Sequence, residues 1–138
     1  MHWLRFLSLL RPPASGSNRA RQVGRRGERL AARHLRRRGY RIYARNLRTP
    51  RGEIDLLGEE GGQVVLVEVK ARTRRTERPP AHPFRHAQRA RQRAAARWLA
   101  RQTGFKNASF RHDLVMVTFD GRRSLVTIRR DVLNFPGR

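Results

Sequence analysis

The sequence predicts an α/β sandwich in which helices cover a mixed β-sheet. Three observations point there. A 3.6-residue apolar period opens the chain, β-branched runs separated by glycine turns follow, and a second helical stretch separates those runs from two more. The predicted order is αβββαββ. A length of 138 residues fits one domain of ~100–200 residues.

Residues 1–20 end in Arg11-Pro12-Pro13-Ala14-Ser15-Gly16-Ser17-Asn18, which is linker chemistry, and are expected to form a basic N-terminal arm. The α/β domain proper is expected over 21–130, with 131–138 as a C-terminal tail. The first helix is predicted over about 22–38, because Leu30, Ala31, His34 and Leu35 recur at three- and four-residue spacing, with Gly24 and Gly27 on the same side. Gly39 supplies its stop. Residues 40–47 read as a first strand, 53–57 as a second and 63–70 as a third. The glycine-containing stretch 58–62 joins the latter two as an antiparallel hairpin. The third strand is apolar on both faces until its end, so it belongs at the centre of the sheet, beneath a helix. After a basic, proline-containing loop over 72–83 comes a second helix over about 84–102. Ala87, Ala90, Ala94, Trp98 and Leu99 form its expected inward stripe, with arginines opposite. Strands over 113–119 and 125–128 complete the order.

Ten acids against 33 cations give a net charge of +23, which makes a polyanion the expected partner, nucleic acid before membrane. No anchor, lipidation signal or ~20-residue apolar span supports a membrane. The opening Met1–Leu10 apolar run is interrupted by Arg5 and too short for a signal peptide, so a cytoplasmic location is expected. The absence of cysteine excludes disulfides, thiol catalysis and cysteine-ligated zinc. An arginine bias can also come from genome composition, so charge alone does not define the substrate.

The scarce residue types are more specific. Glu53, Asp55, Glu59, Glu60 and Glu68 fall within sixteen consecutive positions. Lys70 and Lys106 are the only two lysines among the 33 cations. Side chains alternate along a strand, so Glu68 and Lys70 share one face while Val67 and Val69 take the other, and Glu53 and Asp55 share a face next door. Pairing the two strands brings Asp55 and Glu68 together at one end of the sheet, and a one-residue slip would separate them. Adjacent carboxylates repel unless a cation bridges them, and oxygen-only ligation favours Mg²⁺ or Mn²⁺. Lys70 can then orient or deprotonate a water, or neutralise a phosphate, in ways the permanently charged arginine cannot match. Glu28, the sole acid in the first 52 residues, lies at the edge of the first helix's inward face, where it can complete a metal shell directly or through water. The Val69 carbonyl is a further candidate ligand. A lone Glu-x-Lys on a strand is more often a solvated pair. Asp55 upstream, and the shortage of acids and lysines elsewhere, favour the functional reading here.

Gly24-x-x-Gly27-Glu28, Gly39-Tyr40-x-Ile42-x-x-x-Asn46-x-Arg48, Gly52-Glu53-Ile54-Asp55 and Val67-Glu68-Val69-Lys70-x-Arg72 resemble the YraN-type uncharacterised protein family. That family is similar to Holliday-junction resolvases and to the PD-(D/E)XK nucleases. The resemblance implies a restriction-endonuclease-like fold and metal-dependent phosphodiester cleavage. Asp55, Glu68 and Lys70 would form the core site, with Glu28 as the helix-borne acid. The family's second helix begins with Lys-Gln where this chain has Ala87-Gln88, so Arg85 or Arg89 would have to replace that lysine at the substrate. Junction-cutting enzymes of this kind act as symmetric dimers, so the resemblance admits a homodimer, and no residue pattern identifies a dimer face.

Arg72, Arg74 and Arg75 in the loop, with Arg85, Gln88 and Arg89 of the second helix, are the candidate substrate contacts. They carry no base-reading pattern, which predicts recognition of shape in structured or branched DNA. His82 and His86 are four residues apart but lack an acid partner, so a loop or substrate-facing role is expected rather than metal ligation. Asp113 reads as structural, paired with a buried arginine, and Trp98 as core; Trp3 in the arm admits either core or contact. The alternatives to a nuclease are a basic DNA- or RNA-binding protein that keeps the fold without turnover, and a basic structural partner of a repair complex.

Overall fold

A computed structural model describes residues 18–74 and 86–133. Among them run helix α1 (Asn18–Arg37), strands β1 (Arg41–Thr49), β2 (Gly52–Glu60) and β3 (Gln63–Thr73), helix α2 (His86–Ala100), and strands β4 (Phe110–Asp120) and β5 (Arg123–Arg129). The five strands form one sheet in the order β1-β2-β3-β4-β5, so β3 is central. Neighbours are antiparallel except β3 and β4, which run parallel and are joined across α2. The sheet is therefore mixed. No described helix is long and apolar enough to cross a membrane.

Among the described residues, each sheet face carries one helix. Ala31, Ala32 and Leu35 of α1 pack with Val65, Val67, Val115, Val117 and Phe119. On the other face Ala95, Ala96 and Leu99 of α2 pack with Ile54, Leu57 and Leu66. Burying such side chains stabilises the fold by roughly 1.5–3 kcal/mol each for the larger ones. The helix α1 begins earlier than its apolar period, at Asn18, because the polar first turns continue the same backbone. It ends where Gly39 turns to φ 91°. There the Tyr40 amide donates to the Leu35 carbonyl at 3.1 Å and the Gly39 amide to the Arg36 carbonyl at 3.1 Å. This is a glycine-terminated double closure, sealed by Tyr40 and Leu35 in one core cluster.

Two expectations need correcting. Residues 58–60 belong to β2, and only Gly61 and Gly62 form the turn, at φ 61° and 77°. A two-residue hairpin turn of this hand needs positive φ at both centres, which Gly-Gly supplies, so the strands pair up to Glu60↔Gln63. The inward face of α2 is also rotated from the alanine stripe. Gln92, Ala95, Ala96 and Leu99 are buried, Ala87 and Ala90 are exposed, and Ala94 and Trp98 are partly covered. Trp98 still packs against the core of that face. The remaining strands extend one to three residues beyond their predicted ends, as ladder bonds continue past the apolar stretch.

Candidate active site at the β2–β3 fork

The paired register of β2 and β3 runs from Glu60↔Gln63 to Leu56↔Val67, and its next step would set Asp55 opposite Glu68. The strands part there. In place of a ladder bond, the Val69 amide donates to Asp55 Oδ2 at 2.8 Å. Alternation breaks at the same point, since Ile54 packs in the α2 layer and Leu56 in the α1 layer. Asp55 is thus aimed across the fork at β3, and the shared face expected for Glu53 and Asp55 does not persist as a simple alternation. Beyond the fork β3 continues beside β4 alone.

On β3, Glu68 and Lys70 share the α2 side, and Lys70 Nζ lies 2.9 Å from Glu68 Oε1. Glu68 is nearly buried while the Lys70 side chain is 41% exposed, so the ammonium stands at the mouth of the fork. Two glutamines of α2 hold the carboxylate. Gln88 Nε2 donates to Oε1, and Gln92 Nε2 donates to Oε2 at 2.8 Å. Gln92 Oε1 in turn meets His112 Nε2 of β4 at 3.0 Å. A carboxylate offers about four lone-pair positions, and three are taken, so one remains for a further ligand.

Burial raises the Asp55 carboxyl well above the ordinary range, and the Glu68 charge is the next contributor. The Val69 N–H and Lys70 oppose the shift, and Glu28 adds to it. Glu28 itself is raised, chiefly by burial, with its Asn46 hydrogen bond opposing and the Glu53 charge reinforcing. That bond runs from Asn46 Nδ2 to Glu28 Oε2 at 3.0 Å. The pairs Arg45↔Leu56 and Leu47↔Ile54 bracket Asn46 and Asp55, so Asn46 stands across the ladder from Asp55. Its φ of 51° is one that asparagine tolerates better than most residues.

The expected site residues therefore divide. Asp55, Glu68 and Lys70 meet at the fork, and Glu28 approaches from α1 closely enough to act on Asp55 electrostatically. Among the described residues no three His, Cys, Asp or Glu side chains are grouped as a metal-holding set. Any shell for a hard cation would rest on Asp55 and Glu68, with water completing it. The donor chemistry fits such an ion: an all-oxygen pair whose mutual repulsion a cation would relieve, and one open lone pair on Glu68.

Of the substrate candidates, Gln88 is engaged with Glu68. Arg74 pairs with Asp120 at 2.7 Å, and Arg72 Nε donates to Thr118 Oγ1 at 3.2 Å. Arg89 is exposed, and Arg75, Arg85 and His82 lie outside the described residues. His86 is exposed at the first position of α2. Gln92, His112 and Asn46 were not expected at the site. Asn46 was visible only inside a motif. A Gln pair four apart on an arginine-rich helix was the signal for Gln88 and Gln92 acting together.

Asp113 is fully buried and takes both Nε and Nη2 of Arg111, at 2.9 and 3.0 Å, with the Tyr40 hydroxyl at 2.8 Å. Its structural role, with a buried arginine as partner, follows from these bonds. Burial and Asp113 together push the Tyr40 hydroxyl up to about 12. The chain after β5 turns back here, with the Asp131 amide donating to Asp113 at 3.0 Å and the Val132 amide to the His112 carbonyl at 2.8 Å.

The described residues thus form a mixed sheet with a helix on each face, and an acid pair and a lysine meet at the fork between β2 and β3. The family model of Uncharacterised protein family UPF0102 matches residues 27–117. The chain belongs to that family, the YraN-type family that its motifs resemble. A UPF0102 protein of Chelativorans sp. (strain BNC1) is 50% identical over 99 residues, covering 72% of this chain and 79% of its own. The UPF0102 protein mlr4633 of Mesorhizobium japonicum is 45% identical over 106 residues, covering 76% and 83%. A UPF0102 protein of Desulfosudis oleivorans is 36% identical over 117 residues, covering 85% and 94%.

Proposed function

We propose that this protein is a divalent-metal-dependent endonuclease of restriction-endonuclease-like fold, hydrolysing phosphodiester bonds in structured or branched DNA. The observation that carries the reading is the placement of Asp55 by the Val69 amide beside the Glu68–Lys70 pair. Asp55 and Glu68 would hold Mg²⁺ or Mn²⁺, with Glu28 reaching it through water. Such an ion, when bound, lowers the pKa of a water and offsets charge on the phosphate. The chain's own residues do the rest. Gln88 and Gln92 fix Glu68 in one rotamer, Asn46 fixes Glu28, and Lys70 at the mouth orients the attacking water or balances charge on the phosphate. The surface arginines draw in and position the backbone without reading bases. Ala87, exposed in the first turn of α2, offers no cation, which leaves Arg89 or Arg85 to meet the substrate there.

The test is cleavage of four-way junction, flap and linear DNA with Mg²⁺ or Mn²⁺. Wild type should cut at least one structured substrate, and Asp55→Ala should reduce the rate by a hundredfold or more. Equal behaviour of the two proteins on every substrate rules the reading out. A second reading is a nucleic-acid-binding protein without turnover, DNA or RNA. It is favoured by the three donors already engaging Glu68, and it predicts salt-sensitive binding with no product.

A further inference from the structure

Four arginines of α1, Arg29, Arg33, Arg36 and Arg37, converge with Arg45 of β1 on a cleft of about 450 Å³ that, among the described residues, these five line. All five are exposed, and none makes an ion pair within 4 Å with a described carboxylate. Arg36 and Arg37 stand in the last turn of α1, where the helix dipole favours cations. That account does not reach Arg29, Arg33 or Arg45. At physiological salt the screening length is ~8 Å, so guanidinium groups sharing one cleft repel each other appreciably. Arg45 is followed by Asn46, which bonds Glu28 and stands across the ladder from Asp55, so one end of the cleft adjoins the β2–β3 fork.

We infer that this cleft is a phosphate track that holds the backbone of one nucleic-acid arm as it leaves the fork. The spacing carries the assignment. Positions 29, 33, 36 and 37 form one stripe along α1, and the eight residue steps from 29 to 37 span about 12 Å. One strand of a duplex presents a phosphate about every 3.4 Å of axis while winding around it, so successive phosphates lie farther apart than that rise and the stripe matches about two to three of them. The guanidinium fork suits phosphate oxygens, and among the described residues the lining holds no aromatic ring to stack a base and no acid to read one. The track is separate from Gln88 and Arg89 on α2, since α1 and α2 cover opposite faces of the sheet. This rests on the nuclease reading only for its substrate, and not on turnover.

The test is binding of a fluorescent four-way junction in metal-free buffer across about 50–200 mM salt, which needs no cleavage. The triple variant Arg29→Gln, Arg33→Gln, Arg37→Gln removes three exposed charges and keeps good helix formers. It should lose tenfold or more in affinity, and the slope of log K against log salt should fall by about 2–3, at ~0.9 per contact. A control triple on the opposite edge of the sheet, Arg122→Gln, Arg123→Gln, Arg129→Gln, should lower the slope by less than about 1. Equal losses in both triples would mean bulk charge and overturn the track. Wild-type affinity in the α1 triple overturns it too and leaves the nuclease reading intact. If the α1 triple loses only binding to phosphatidylserine vesicles, the cleft serves a membrane instead. Failure of the wild-type chain to bind any nucleic acid removes the proposed function together with the track.

Discussion

A carboxylate in the position of Asp55 is costly to keep ionised, because burial and the Glu68 charge both press toward the neutral acid. Asparagine keeps an oxygen for the Val69 amide and removes the charge. Asp55→Asn is therefore expected to raise Tm by a few degrees at pH 7 without metal, where ~1 kcal/mol corresponds to about 2–8 °C. The sign follows from linkage. A folded pKa above 3.8 means a stability deficit that is present above that raised pKa and vanishes as pH falls below the unfolded value. The gain should thus disappear in acid. Added Mn²⁺ should raise Tm of wild type but not of the variant, as read by calorimetry. His112 behaves oppositely. Burial lowers it from 6.5 to about 4, so the unfolded chain binds the extra proton between those values. Its contribution is complete above pH 6.5 and is lost as pH falls toward 4, by about 3 kcal/mol. Urea titrations at both pH values should show that loss in wild type and a correspondingly flatter profile in His112→Leu. Asp55, Glu68 and Lys70 were legible in the sequence because strand alternation and rarity single them out. Gln92 and His112 were not, since nothing in a lone Gln or His states which buried group it will meet.

At the scale of elements, Gly27 sets how near α1 approaches the sheet. A Cβ built there would collide with the Cβ of Ala71 on β3. Alanine improves helix propensity by ~1 kcal/mol, but overpacking of this kind costs roughly 1–3 kcal/mol, so Gly27→Ala should be net destabilising. It should also push the next residue, Glu28, away from Asn46 and the fork, lowering any cleavage rate along with Tm. The pair Gly27→Ala, Ala71→Gly reopens the space and should recover most of both; loss that persists in the pair would show that contact at this point is not what limits α1. The same scale explains which elements the sequence concealed. The second helix was legible as a helix, but alanine is neutral about burial. The acid of Glu68 calls Gln88 and Gln92 inward, and the helix turns with them, leaving Ala87 and Ala90 in solvent. Likewise the pairing beyond residue 57 was hidden because Gly58 reads as loop. In the sheet it is the residue over which the Arg41 carbonyl passes too closely for any Cβ.

At the scale of the whole molecule, a net charge of +23 sets the balance between attraction and repulsion. The described ion pairs are few and several are busy with local order. Arg111 is spent on Asp113 and Glu60, Lys70 on Glu68, and the Arg74–Asp120 pair is exposed enough to contribute little. Most of the described arginines therefore have no carboxylate within ion-pair distance, and their mutual repulsion weakens the compact state. For a chain stabilised by surface pairs, salt lowers Tm. Here raising salt from about 0.05 to 0.5 M should raise Tm by several degrees, because screening removes more repulsion than attraction. A polyanion should do more at far lower concentration, since it binds the folded surface and shifts unfolding by mass action. A junction DNA added in metal-free buffer at low salt should raise Tm further than the same phosphate concentration supplied as free inorganic phosphate. A Tm that falls with salt, or that responds to both phosphate sources alike, would mean that the cations are dispersed surface charge rather than an organised face. The charge of this chain would then say nothing about its substrate.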